Sequence, residues 1–200
     1  LITTKKGKEG KLSVQFSSSS EFSKAYMTPE FQNTYGNKKD MYESWGEKLL
    51  TPTSYDPKKD FFNTGTNFIN SVTLTTGTKS NQTFASVSST NSKGIVPNNE
   101  YDRLNFTIRN TATFLKLQLD LGASYVKQKD KNMVSQGQYW NPVMAAYLFP
   151  RGEDFDGIKS FEHFDESRQL PVQYWPVADP VYASQNPYWT AYRNVATNEK

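Results

Sequence analysis

Leu115-Lys116-Leu117-Gln118-Leu119-Asp120-Leu121-Gly122-Ala123-Ser124-Tyr125 is the stretch that decides the fold class. Its leucines recur at every second position, at 115, 117, 119 and 121, with Lys116, Gln118 and Asp120 between them. A period of two gives a strand an apolar and a polar face, whereas a helix would scatter those leucines around its circumference. The pattern repeats upstream. Leu104, Phe106 and Ile108 alternate with Arg103, Asn105, Thr107 and Arg109; Leu12, Val14 and Phe16 alternate with Lys11, Ser13, Gln15 and Ser17. Val72, Leu74 and Thr76 alternate with Ser71, Thr73 and Thr75, and the Thr, Phe and Val content of Gln82 to Thr90 marks a fifth strand whose faces are hard to assign.

Five such strands of about ten residues match the length of a tilted membrane-crossing strand. Their connections alternate long and short along the chain, over 23–66, 78–81, 91–100, 112–114 and from 128 onward. Transmembrane barrels have this rhythm. The 200 residues are 36% hydrophobic and 14% aromatic, with no cysteine, and mean hydropathy is −0.74. That excludes membrane helices, which need roughly 20 apolar residues, and disulfide, thiolate-zinc or cysteine-nucleophile chemistry. A net charge of +3 from 23 basic and 20 acidic residues gives no reason to expect nucleic acid. The chain opens at Leu1 without a charged segment leading into an apolar one, so it reads as processed or as a piece of something longer. Beyond Gly137 lie six of the ten prolines and three of the four tryptophans, which marks a loop-rich aromatic segment. Thr28-Pro29-Glu30-Phe31 opens a stretch that could hold a short helix.

Four segments carry a family resemblance: Leu1-Ile2-Thr3-Thr4-Lys5-Lys6-Gly7-Lys8, Asn91 through Arg103, Tyr147-Leu148-Phe149-Pro150-Arg151-Gly152 and Asn186-Pro187-Tyr188-Trp189. In this order they resemble SusC-type TonB-dependent outer-membrane transporters. The resemblance implies an all-β fold: the N-terminal part of an antiparallel transmembrane β-barrel of about 22 strands, with long extracellular loops, preceded by the last strand of a plug domain. Residues 1–10 would then be the plug-to-barrel junction, 11–127 the first five barrel strands and 128–200 an extracellular loop region. It further implies import of oligosaccharides or peptides across the outer membrane of a Gram-negative bacterium. The partners would be a SusD-like surface lipoprotein, TonB acting through an N-terminal region outside this sequence, and outer-membrane lipid against the apolar strand faces. No cofactor and no catalysis are implied.

Sugar rings stack their C–H faces on aromatic side chains while amides bond their hydroxyls. Tyr139, Trp140, Asn141, Tyr174, Trp175, Tyr188 and Trp189 are therefore the candidate substrate contacts, unless they pack the loop on itself or form an interfacial girdle. His163 stands alone without a spacing that supports a triad, and Glu153, Asp154 and Asp156 lack the full ligand pattern of a calcium loop. A secreted carbohydrate-binding β-sandwich module is the alternative reading, and a two-carboxylate glycoside hydrolase is third.

Overall fold

The alternating segments form strands β1 (Gly10–Ser23), β2 (Gly65–Gly77), β3 (Asn81–Lys93), β4 (Glu100–Phe114) and β5 (Leu117–Lys131) in the computed structural model, which describes residues 7–135, 137, 139–178, 184–193 and 195–200. The intervening and following chain adds helices α1 (Pro57–Asp60), α2 (Pro142–Tyr147) and α3 (Pro187–Tyr192), a single 3₁₀ turn at Gly157–Lys159, and strands β6 (Glu162–Asp165), β7 (Leu170–Gln173) and β8 (Thr197–Glu199). One antiparallel sheet runs in the order β1-β2-β3-β4-β5-β8, and a second is the β6-β7 hairpin.

Register turns the sequence period into two surfaces. Val14, Leu74, Ala85, Ile108 and Ala123 align across five strands, and Phe16, Val72, Val87, Phe106 and Tyr125 form the next row on the same face. The rows between them belong to the opposite face: Gln15, Thr73, Ser86, Thr107 and Ser124 make up one of these. Hydrogen bonds cross that polar face, from Asn105 Nδ2 to Ser88 Oγ at 3.2 Å and between the Thr107 and Ser124 hydroxyls at 3.3 Å, and Arg109 pairs with Asp120. The register also settles β3, whose Phe84 lies with the polar rows opposite Arg109 and is 8% exposed. Leu115 is a turn residue with φ 54°, because Phe114 already pairs with Leu117, so the strand series is Leu117, Leu119 and Leu121.

The buried core lies outside the sheet, in the loop-rich chain. Tyr55, Phe61, Val96, Ala146, Phe149, Phe155, Ile158 and Val177 form it, with Phe62, Trp175 and Tyr188 packed around them. Tyr55 stacks on Phe155 at 3.9 Å between centroids, and Phe149 meets Phe155 edge-on at 5.1 Å. Burying one such side chain contributes about 1.5–3 kcal/mol. Arg151 is 3% exposed, with its guanidinium over the rings of Phe31 and Tyr55 at 4.5 and 5.0 Å. Burial pushes its pKa down. The two aromatic faces offset part of that loss of hydration.

This architecture corrects the barrel expectation. The six-stranded sheet ends at β1 on one side and β8 on the other, and these edges do not meet. It is an open sheet, not closed into a barrel, within a mixed domain that also holds a hairpin and short helices. Alternation reports that each strand has two unlike faces; closure requires the last strand to pair with the first, which no local pattern encodes. The multi-pass outer-membrane location built on closure is corrected with it. Among the described residues no helix is long and apolar enough to cross a membrane. The stretch after Thr28-Pro29 is not helical; there Gln32 Oε1 accepts from the backbone of Thr34 and Tyr35 at 3.0 and 2.8 Å.

Three of the four resembling segments have local structural roles. Asn91 through Arg103 spans the end of β3, a turn and the start of β4; Tyr147 through Gly152 delivers Phe149 and Arg151 to the core; Asn186 through Trp189 starts α3. Most of the first, Leu1 to Lys6, lies outside the described residues.

Candidate functional site

The three short helices begin alike, with Asp56-Pro57, Asn141-Pro142 and Asn186-Pro187. In each, the Asp or Asn side chain accepts from the first helical N–H groups, and proline at the next position loses no hydrogen bond while presetting φ. Asn141 Oδ1 accepts from Val143 N at 3.0 Å and Met144 N at 3.4 Å, while its Nδ2 donates to Gly137 O at 2.8 Å. The amide thus orients the turn that carries Tyr139 and Trp140, which are 51% and 53% exposed. Trp140 has φ 59°. A bulky L-residue in that left-handed region costs about 1–2 kcal/mol, and such strain with an exposed indole is a pointer to function.

Beside Trp140, Met144, Leu148, Gln185 and Thr190 help to line a slot of about 10 Å³, the size of one water or hydroxyl. Gln185 Oε1 is buried without a hydrogen-bond partner. An aromatic plate next to an acceptor of this kind suits a ligand with one apolar face and projecting hydroxyls. Gln185 carries no sequence signal. It reaches Trp140 only because α2 and α3 pack together through small, buried Ala145, Ala146 and Ala191.

The other expected contacts are divided between surface and core. Tyr174 is 41% exposed, its backbone N donating to Phe161 O at 2.7 Å. Trp175 packs on the core 5.8 Å from the Phe149 ring, and its Nε1 is buried without a partner. Tyr188 packs 5.8 Å from Phe61 and donates to Asp60 O at 3.2 Å. Trp189 is half-buried in α3, its backbone N donating to the Asn186 cap.

Burial, reinforced by Asp156 and Asp60, pushes the Tyr188 hydroxyl up to about 12, from about 10 in the unfolded chain. Burial also pushes up the Tyr55 hydroxyl, which donates to Ala146 O at 2.8 Å. The folded state keeps protons that the unfolded state releases between pH 10 and the folded pKa, so this stability is complete below pH 10 and declines as pH rises through that window. Melting temperature is expected to fall between about pH 10 and pH 12, and less steeply in Tyr188→Phe. Parallel melting curves against pH for the two proteins would reject this.

His163 lies on β6 with an exposed side chain. Asp154 Oδ1 accepts from Asp156 N at 3.0 Å, Asp156 pairs with Lys159 at 2.6 Å, and Glu153 Oε1 accepts from Asn37 Nδ2 at 3.1 Å. These acids order a turn, and no group of three metal-ligand side chains occurs among the described residues. No protein-family model matches the chain, and no curated protein matches it. With the open sheet, these findings overturn the resemblance to SusC-type transporters and, with it, TonB-dependent import, the SusD-like and TonB partners and contact with outer-membrane lipid.

Proposed function

We propose that this chain is a carbohydrate-binding module that holds glycans without transforming them, with the Trp140 corner as its contact surface. The observation that carries this reading is the half-exposed indole, kept at a strained backbone position above a hydroxyl-sized slot where Gln185 Oε1 has no partner. A pyranose ring stacks its C–H face on Trp140 and directs one hydroxyl into the slot, where it donates to Gln185. Tyr139 extends the aromatic surface and Asn141 holds its angle. Isothermal titration with neutral hexasaccharides of glucose, xylose and mannose tests the reading. Trp140→Ala is expected to weaken binding roughly tenfold or more, the scale of one lost ring contact. Titration curves for Trp140→Ala that match the unmodified chain would reject it.

A further inference from the structure

A second concavity lies away from the Trp140 corner, between residues 26–33 and 53–59. Its volume is about 670 Å³, within the 300–1,000 Å³ typical of small-molecule sites. Tyr26, 87% exposed, and Phe31 supply apolar surface, and Tyr55 stands at the base, itself only 7% exposed. Arg151 fixes the Phe31 and Tyr55 rings from behind, its guanidinium lying over both and Nη1 donating to Tyr55 O at 3.4 Å. Thr53 N donates to Asn33 O at 3.2 Å and ties the walls together. Asn33 lines this cleft, and its Oδ1 is buried with no hydrogen-bond partner.

We infer that this cleft is a second carbohydrate site, taking a neutral pyranose against Tyr26 and Phe31 with one sugar hydroxyl donating to Asn33 Oδ1. The volume admits a sugar ring, the rings match its apolar face, and a buried acceptor without a partner is what a hydroxyl donor satisfies. Neutrality follows from the charges: the lining holds two lysines, Lys58 and Lys59, and two acids, Glu30 and Asp56, with Lys59 Nζ 3.5 Å from Asp56. The assignment rests on the glycan-binding reading but not on the Trp140 corner.

Asn33→Leu separates binding from folding, because it removes an unsatisfied polar atom and leaves the backbone bond to Thr53 in place. Its melting temperature is expected to equal or exceed that of the unmodified chain. In titrations of the full chain with the same three hexasaccharides, Asn33→Leu is expected to lower affinity at one of two sites by about three- to tenfold. Tyr26→Ala is expected to lower it by roughly tenfold, and adding Asn33→Leu to Trp140→Ala should weaken the residual binding by a further factor of about three to ten. Loss in the Asn33 and Tyr26 variants with none in Trp140→Ala would keep the cleft and overturn the corner. Unchanged binding in both cleft variants, with loss in Trp140→Ala, would overturn the cleft alone. Absence of binding by the unmodified chain to all three probes would overturn both.

Discussion

Asn186→Leu is expected to destabilise the domain by roughly 3–7 kcal/mol, a large part of the 5–15 kcal/mol that holds an ordinary domain folded. Asn186 is fully buried and joins three segments. Its Oδ1 accepts from Tyr188 N and Trp189 N at 2.8 and 3.3 Å, and its Nδ2 donates to Ile158 O and Tyr174 O, both at 2.8 Å. Leucine is close in volume but offers neither donor nor acceptor. Loss of the cap accounts for about 1 kcal/mol, and each orphaned buried carbonyl adds about 1–3 kcal/mol. Denaturant unfolding followed by circular dichroism measures the sum. Asn186→Asp keeps the cap acceptor and loses both donors, so it separates the helix contribution from the cross-links. A midpoint for Asn186→Leu equal to that of the unmodified chain would show that Asn186 is not the hub of this region.

Phe149→Ala is the second large effect, expected to cost about 3–5 kcal/mol. Phe149 is 1% exposed and meets Tyr55, Phe155 and Trp175 with centroids 5.7, 5.1 and 5.8 Å away. Truncation removes the transfer energy of the ring and leaves a cavity that three rigid aromatic neighbours cannot fill by small shifts. The control is Phe16→Ala in β1. That side chain is 67% exposed, so its removal is expected to change stability by no more than about 0.5 kcal/mol. If Phe16→Ala costs as much as Phe149→Ala in denaturant unfolding, the core has been placed on the wrong side of the molecule.

That contrast shows what was legible in the residues. A long alternating strand such as Leu117 to Tyr125 looks like the apolar lining of a core, yet its leucines are 49–67% exposed. The buried side chains come from segments without periodicity, Tyr55 through Phe61 and Phe149 through Ile158, which meet across long stretches of chain. Asp56-Pro57, Asn141-Pro142 and Asn186-Pro187 were readable helix starts, since an Asx cap followed by proline is a local chemical signal. Periodicity does not mark them, because helices of four to six residues are too short to show a hydrophobic period. At the candidate site, Trp140 and Asn141 could be read from composition. Gln185 and Asn33 could not, because an unpartnered amide becomes meaningful only when folding removes its water.

By itself the sequence determined that strands would form and, outside β3, which residues share a face, because side-chain period acts over a few residues; the β4–β5 turn falls at 115–116, one step beyond the expected 112–114. Tertiary structure alone decided that the sheet stays open between β1 and β8, that the core gathers in the loops, and that Trp175 and Tyr188 pack half-buried against it while Trp140 is presented. The physical reason is range. Backbone geometry and side-chain alternation are set by neighbours in the chain, whereas closure, burial and the stranding of a polar atom depend on contacts between segments far apart in sequence.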